Sequence, residues 1–221
     1  MRRIWSLAVV CLLSLLLGGC SLFGSSLLDA QLLVRGNLDV VYLDQTSEDY
    51  LKLVNSTAEE THQDYEDGVW LEVDTAAAYF YIDLELCDEE ISQRLFDLLS
   101  SIYAYSSYQV GEAAETETGY VVDVTVYPID IFQKMLEEDY NDAYEELWAD
   151  RDFTSATEEE YETAWAEFIL ELLEARLDNI GYLDPVTISV HVEQNDEGYY
   201  AITDEDFSQV DWYILSYGDG E

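Results

Sequence analysis

The sequence predicts an α+β fold in which several amphipathic helices pack on an antiparallel sheet built from two β-hairpins, behind a cleaved signal peptide. Most apolar residues recur at spacings of three and four, which is typical of helices that bury one face. Two short runs instead alternate apolar and polar residues around polar turns that contain glycine, which is typical of hairpins. The first residues form a short apolar segment behind a positive start.

Capping patterns indicate where the helices begin. Ser56–Glu59 and Thr157–Glu160 match the capping box, in which a hydroxyl and a carboxylate bond the backbone of the first turn. Asp88 and Asp204 are expected to cap two further helices. Helices are predicted at 27–43, from Ser47, from Ser56 toward Tyr81, from Asp88, from Pro128 to Trp148, from Thr157 to Ile180, and from Asp204 to Tyr217.

The strands are predicted as two pairs, Tyr108–Ala114 with Tyr120–Tyr127 and Val186–Val192 with Tyr199–Thr203. A lone hairpin is barely stable in water, so we expect the pairs to join edge to edge, with helices covering one face. Helix, hairpin and helix also recur as a weak internal repeat, at about 56–150 and 157–217. We therefore predict one acidic α+β domain over residues 27–221.

The first 19 residues have the pattern of a secretory signal. Met1–Arg3 is positively charged, residues 4–17 are almost entirely apolar, and small residues follow at Gly18 and Gly19. The apolar core of roughly 14 residues is shorter than the ~20 that a membrane-spanning helix needs. The segment is therefore predicted to be removed after export.

Leu17-Gly18-Gly19-Cys20 resembles the lipobox of bacterial lipoproteins. The resemblance implies cleavage between Gly19 and Cys20, a diacylglyceryl (palmitate-type) lipid on the Cys20 sulfur, and a lipidated tether over residues 20–26. Two acyl chains suit stable anchoring, because each buried CH₂ contributes about 0.8 kcal/mol and one chain alone is marginal. The expected location is the extracytoplasmic face of the cell membrane; an ordinary signal with an incidental cysteine is the alternative.

The charge of the chain is unusually negative. The whole sequence carries 8 basic and 49 acidic residues, and losing Arg2 and Arg3 with the signal changes the formal charge from −41 to 6 − 49 = −43. Nucleic acid is excluded as a partner, because phosphate binding needs a basic face. Apolar residues at 49% and aromatic residues at 14% still suffice for a core, so the acids are expected to cover its surface.

The sequence contains no catalytic motif that we can identify. His62 and His191 lie in no known ligand spacing, and no nucleophile elbow or phosphate-binding loop occurs. Cys87 is the one cysteine left after Cys11 and Cys20, so an intramolecular disulfide is not expected, and its acidic neighbours argue against a reactive thiol. No catalytic residue and no cofactor are predicted.

Divalent cations are considered because carboxylates cluster after residue 136. Glu138, Asp142 and Glu145 could bring oxygens to one side of a helix, and hard cations prefer such ligands. No calcium-binding loop accompanies them. We expect weak cation screening rather than a dedicated metal site.

Aromatic residues are frequent enough to suggest a binding platform as well as a core. Most fall at core spacing, but Tyr79, Phe80 and Tyr81 are consecutive, so at least one ring should be partly exposed. Core or core-rim packing is the expected role for most of them.

Three segments, Tyr120–Gln133, Asn179–Ile188 and Gly198–Phe207, resemble uncharacterised acidic lipoproteins of Gram-positive gut bacteria. The resemblance covers most of the chain from about Leu28 and implies the same location and α+β build, but no catalytic residue. The predicted function is a membrane-anchored, non-catalytic domain that binds a protein or small molecule. The alternatives are an extracytoplasmic carboxylate-dependent hydrolase and a polyanionic cation-binding spacer.

Overall fold

The computed structural model describes residues 26–149, 151–195 and 198–218. The predicted signal, the cleavage pair Gly19 and Cys20, and the tether before Ser26 lie outside these residues. Within the described ranges, every helix is too short or too polar to cross a membrane.

The helices and strands follow one another in an order close to the predicted one. They are α1 (Leu27–Leu43), α2 (Glu48–Val54), α3 (Ala58–Tyr79), α4 (Glu89–Tyr103), β1 (Ser107–Glu115), β2 (Gly119–Tyr127), α5 (Ile131–Lys134), a π-helical turn (Met135–Asp139), α6 (Tyr140–Ala143), a second π-helical turn (Tyr144–Trp148), α7 (Glu158–Arg176), a 3₁₀ turn (Leu177–Asn179), β3 (Val186–Gln194), β4 (Tyr200–Ile202) and α8 (Asp204–Ile214).

The predicted α+β class is confirmed. The strands form one antiparallel sheet in the order β1-β2-β3-β4, so the two hairpins join through β2 and β3. The register of that central pair runs from Gly119 opposite Glu193 to Val126 opposite Val186. The hairpins are thus joined edge to edge, as the sequence predicts.

The chain divides into two compact units, each assembled from separate stretches. Unit 1 takes its described residues from 26–68, 106–128 and 184–214, and it contains the whole sheet. Unit 2 takes them from 69–105, 129–183 and 215–218, and it is mainly helical. Helix α3 begins in unit 1 and continues into unit 2 after Gly68.

One face of the unit 1 sheet forms the core. On β2, Val122, Val124 and Val126 are fully buried and alternate with more exposed residues such as Asp123. Helices α1 and α8 pack against the sheet. Each fully buried valine contributes about 1.5–3 kcal/mol, so this face supplies much of the stability of unit 1. The other face is polar, as shown by the Ser189 hydroxyl that donates to Asp123 at 2.7 Å.

Gly36 allows helices α1 and α2 to approach closely. Tyr50 on α2 is 1% exposed and packs over this glycine. A Cβ atom at position 36 would lie 2.0 Å from Cδ2 of the Tyr50 ring. Glycine inside a helix costs about 0.5–1 kcal/mol relative to alanine, and the packing of the Tyr50 ring offsets this cost.

Asp206 ends the sheet where β4 stops. Its carboxylate accepts the His191 backbone N–H and the Thr203 hydroxyl, both at 2.7 Å, and it lies 2.9 Å from Nδ1 of the His191 ring. Burial raises the pKa of Asp206, but the hydrogen bonds from Thr203 and His191 outweigh burial and hold the pKa below its ordinary value. The Asp206 carboxylate thus accepts the His191 backbone N–H, which a backbone carbonyl of a longer β4 would otherwise accept.

One of the two predicted capping boxes is confirmed and the other begins one residue later. Thr157 and Glu160 exchange both bonds of a capping box. At α3 the box joins Thr57 and Glu60, with backbone N–H distances of 3.2 and 2.9 Å, instead of beginning at Ser56. Two adjacent hydroxyls fit the pattern equally well, and Ser56 instead donates to the Glu60 carboxylate.

Two other predicted caps lie at the right helix ends but do not act through the predicted side chains. Asp88 is the N-cap residue of α4, yet its side chain makes no capping hydrogen bond. Helix α8 begins at Asp204, and the hydroxyl of the preceding Thr203 accepts a long 3.4 Å bond from the Asp206 N–H. The predicted helix ends at Tyr81 and Tyr217 were also too late.

The helix after Pro128 differs from the predicted continuous α-helix. Two π-helical turns, Met135–Asp139 and Tyr144–Trp148, interrupt it. Each π turn widens the helix by one residue and changes which side chains share a face. The spacing of apolar residues could not reveal the two π turns, because three- and four-residue intervals recur on both sides of each turn.

Replacing Gly36 by alanine is expected to lower the free energy of unfolding by about 2 kcal/mol, since a new methyl group would overlap the buried Tyr50 ring. Urea unfolding followed by circular dichroism measures the change. Leu28→Ala is the matched control, because Leu28 is 75% exposed on the same helix and its loss should change stability by under about 0.5 kcal/mol. Equal stabilities for the two variants would contradict the packing role of Gly36.

Candidate functional site

Two neighbouring features of unit 2 form the candidate site, and both lie along the helical segment 131–148 and α7. Asp139 binds Arg176 near the C-terminal end of α7, whereas the Trp148 ring lies 5.7 Å from the Tyr161 ring near its start. The two segments therefore run antiparallel. An ionic pocket lies toward the Arg176 end and an aromatic surface toward the Tyr161 end.

The ionic pocket is a cavity of about 620 Å³. It contains two of the six basic residues that remain after residues 1–19, together with three carboxylates. Its polar lining consists of Asp130, Lys134, Glu138, Asp139, Arg176 and Asn179, and Leu172 and Ala175 complete it.

The charges of the ionic pocket are paired with one another. Arg176 donates to Glu138 at 2.5 Å and binds both carboxylate oxygens of Asp139, while Lys134 donates to Glu138 at 2.8 Å. Lys134 and then Arg176 hold the pKa of Glu138 below its ordinary value. Asp139, followed by Glu138, raises the pKa of Arg176.

The first π-helical turn supplies the acidic side of this pocket. Glu138 and Asp139 are its last two residues, and they bind the same guanidinium although they are adjacent in sequence. π turns occur frequently at functional sites. Here the widened turn coincides with the carboxylate pair that binds Arg176.

Asp130, which lines another part of the pocket, is held in place by Gly181. Asp130 is 8% exposed, and its carboxylate accepts the Gly181 N–H at 3.0 Å. A Cβ atom at position 181 would lie 2.8 Å from the Asp130 carboxylate, so a residue without a side chain suits this position. The helix predicted to run to Ile180 ends at Arg176, and a 3₁₀ turn separates it from this glycine.

The aromatic surface consists of Tyr140, Tyr144, Trp148, Phe153, Tyr161 and Trp165. Its rings form a connected set: the Tyr140 and Tyr144 rings stack with centroids 5.7 Å apart, and the Phe153 and Tyr161 rings meet edge to face at 5.1 Å. Trp148 is buried in the middle, whereas Tyr144 is 38% and Tyr161 40% exposed. The set is therefore a core cluster with an open rim.

A cation already lies on this surface. The Arg151 guanidinium carbon is 5.2 Å from the centroid of the Trp148 ring, within the range of a cation–π interaction. Burial raises the pKa of Tyr140, and the neighbouring Tyr144 and Tyr161 phenols raise it further. The phenol groups of these three tyrosines therefore lie close enough to interact electrostatically.

Tyr81 lies in a strained backbone conformation beside the start of this surface. Its φ angle is 57° and its side chain is 86% exposed. The preceding Phe80 carbonyl accepts the Trp165 indole N–H at 2.9 Å, which connects this segment to the aromatic surface. A left-handed conformation costs a non-glycine residue about 1–2 kcal/mol, and such strain concentrates at functional sites. The expectation of an exposed ring among residues 79–81 thus agrees with the position of Tyr81.

The three cation candidates predicted from the sequence lie exposed on one helical segment. Glu138 lines the ionic pocket, where it binds Lys134 and Arg176, and Asp142 and Glu145 follow it along the segment. Within the described ranges, no group of three or more His, Cys, Asp or Glu residues is arranged to hold a metal ion.

The histidines and the cysteine have structural surroundings. His62 binds the Asp44 carboxylate at 2.9 Å, and His191 binds Asp206. Cys87 is partly buried, and burial followed by the charge of Glu162 raises the pKa of its thiol. A raised pKa leaves the thiol protonated and unreactive, in keeping with the expectation from its acidic neighbours.

Sequence reasoning missed Lys134, Arg176 and Arg151 as site residues. The sequence did contain a usable signal for them. Because the chain has so few basic residues, each one was a candidate for an ion pair or for a contact with an aromatic ring. The partners of these cations are distant in sequence, as with Arg176 and Asp139, so the pairs themselves could not be predicted.

Comparisons with known proteins give a similarity of fold. No family model matches the sequence, and no curated protein matches it significantly. The crystal structure of a candidate lipoprotein (ycdA) from Bacillus subtilis subsp. subtilis str. 168 superposes with a TM-score of 0.58 at 15% sequence identity. The match covers 85% of this chain and 56% of that one, so this chain spans little more than half the length of the Bacillus protein.

Arg176→Met is expected to lower the free energy of unfolding at neutral pH by about 2 kcal/mol, because hydrogen bonds to charged groups contribute about 1.5–3 kcal/mol. The Arg176 side chain is 14% exposed, so water replaces these bonds poorly. Urea unfolding at pH 7 measures the effect. Lys52→Met is the control: Lys52 is 69% exposed on α2, and the loss of its surface ion pairs should change stability little.

The Arg176→Met effect should also depend on pH. The folded-state pKa of Glu138 is lowered, so its contribution to stability is present above the ordinary glutamate pKa of about 4.3 and is lost as the pH falls through the folded value. The stability gap between wild type and variant should therefore narrow in acid. A gap of the same size at pH 3 and pH 7 would contradict the ionic role of Arg176.

Tyr81→Gly is expected to raise the free energy of unfolding by about 1 kcal/mol, because glycine adopts the φ of 57° without steric cost. Thermal unfolding by calorimetry gives the change. Tyr105→Gly is the control: this tyrosine is 43% exposed and has no positive φ, so glycine there should lower stability. A loss of stability in both variants would show that Tyr81 is not strained.

Proposed function

We propose that this chain is an exported bacterial lipoprotein, cut before Cys20 and held at the outer face of the cell membrane, whose domain binds a ligand or partner without catalysing a reaction. The observation that carries the location is Leu17-Gly18-Gly19-Cys20 directly after the apolar signal core. The fold shared with a candidate lipoprotein of Bacillus subtilis supports it.

The physical properties of the domain suit this location. Two acyl chains on Cys20 provide stable attachment to the bilayer without a spanning helix. The formal charge of 6 − 49 = −43 that remains after cleavage repels the domain from anionic lipid headgroups, so the short tether through Ser26 would keep it apart from the surface. The lipid would thus anchor the chain while the acidic domain remains accessible to extracellular molecules.

The two features of unit 2 favour binding over catalysis. The ionic pocket holds cations and carboxylates that are paired with one another, and a mixed-charge cavity of about 620 Å³ is large enough for a small molecule. A carboxylate-dependent hydrolase that used this pocket would need a general acid with a raised pKa there, whereas the pKa of Glu138 is lowered. The open rim of the aromatic surface adds a second place for a ligand.

Expression of the full-length chain in a Gram-positive host tests the anchor. We expect intact-mass analysis to show a chain that begins at Cys20 and carries the mass of a diacylglyceryl group. The Cys20→Ala variant should remain uncut and unlipidated, because alanine has no thiol that could be alkylated. Cys87→Ala is the matched control and should be processed like the wild type. An uncut wild-type chain or an unmodified Cys20 sulfur would refute the proposal.

A further inference from the structure

We propose that the aromatic surface binds a cationic peptide segment rich in arginine or lysine, with Tyr144 and Tyr161 as the principal contacts. This inference rests on the proposed binding function and names the chemical class of the ligand. Three observations carry it: the exposed rim of rings, a guanidinium already on the central ring, and the acidic side chains around the rim.

The rim presents ring surface that the core leaves open. Tyr144 and Tyr161 are 38% and 40% exposed, and each packs against a ring deeper in the cluster, Tyr140 and Trp148 respectively. Contacts with these inner rings hold the two exposed tyrosines in place. Little side-chain entropy would then be lost on binding, which favours affinity.

Arg151 shows how a cation is accommodated here. Its guanidinium lies 5.2 Å from the centroid of Trp148, the buried ring that the Tyr161 ring contacts edge to face. Arg151 belongs to the segment that connects the 131–148 helical segment with α7. Part of the chain itself therefore makes the type of contact proposed for the ligand at Tyr144 and Tyr161.

Acidic residues accompany both exposed tyrosines along the chain. Glu145 and Glu146 follow Tyr144 and are exposed, and Glu160 and Glu162 flank Tyr161. Together with a formal charge of −41 for the whole chain, they produce a negative potential that attracts cations and accelerates their association. Ring faces and carboxylates thus favour the same sign of ligand charge.

The same charges argue against other ligands. An anionic ligand would be repelled, and it would find few unpaired cations, because Arg94 and Arg176 bind Glu174, Glu138 and Asp139. A neutral glycan could stack on the rings and donate its hydroxyls to the surrounding carboxylates, but it would form no ion pair with them. A basic peptide uses the rings through cation–π contacts and the carboxylates through ion pairs.

The test uses the full-length chain in a non-ionic detergent and a hexa-arginine peptide, with binding measured by calorimetry at low salt and at about 0.15 M salt. We expect saturable binding that weakens with salt. The double variant Tyr144→Leu/Tyr161→Leu keeps apolar bulk but loses the π faces, and it should bind about tenfold more weakly. Tyr144→Phe/Tyr161→Phe keeps the π faces and should bind like the wild type.

Two controls separate this site from general attraction to a polyanion. Trp212→Leu removes a ring that is 50% exposed in unit 1 and should leave the affinity unchanged. A neutral chito-oligosaccharide should show no binding that depends on the two tyrosines. Equal affinities for the wild type and the folded double leucine variant would overturn the proposal, as would tyrosine-dependent binding of the glycan. Circular dichroism checks the fold, and if the double leucine variant does not fold, Tyr144→Leu and Tyr161→Leu are compared singly.

The result of the peptide-binding test does not depend on whether Cys20 is lipidated. Peptide binding is measured on the purified chain whether or not Cys20 carries lipid, so a missing lipid would refute the proposed location and leave the peptide result standing. Conversely, a lipidated chain that binds hexa-arginine without any dependence on Tyr144 and Tyr161 would refute only this inference.

Discussion

Positive charge is scarce in this protein, and this scarcity governs how its charged side chains are arranged. With 49 acidic and 8 basic residues, two of them in the predicted signal, most carboxylates cannot be paired with a cation. Most of the acids therefore stay at the surface, and two of the cations in unit 2 do more than pair with a single acid. Arg176 binds Glu138 and Asp139 together, and Arg151 lies over Trp148.

Tyrosine hydroxyls donate some of the hydrogen bonds to carboxylates that lysine and arginine would otherwise donate. In unit 1, Tyr42 donates to Asp211 at 2.9 Å and Tyr108 donates to Asp39 at 2.8 Å. Burial raises the pKa of Tyr108, and the bond to Asp39 raises it further, so the phenol remains a donor at any physiological pH. Burial raises the pKa of Asp211 despite the bond from Tyr42. The high tyrosine content thus provides neutral donors for partly buried acids without burying a cation.

How well each element could be predicted depended on the sequence distance of its partners. Helix α1 and the central strands followed from local periodicity, because the buried valines of β2 alternate along a single strand. The first capping box was misplaced by one residue because Ser56 and Thr57 offer the same chemistry. The π turn at Met135–Asp139 was missed, since it coincides with bonds to Arg176, 37 residues after Asp139.

The predicted cellular location, the fold class and the pairing of two hairpins all followed from the sequence. Each depends on short contiguous patterns of charge, apolar spacing and turns. The ion pairs that the few cations form, and the identity of the exposed residues among 18 tyrosines, became known from the three-dimensional structure. Burial and ion pairing depend on distances between segments that are far apart in the chain. A repetitive acidic and aromatic composition fits many such pairings, and the packing of the helices selects one.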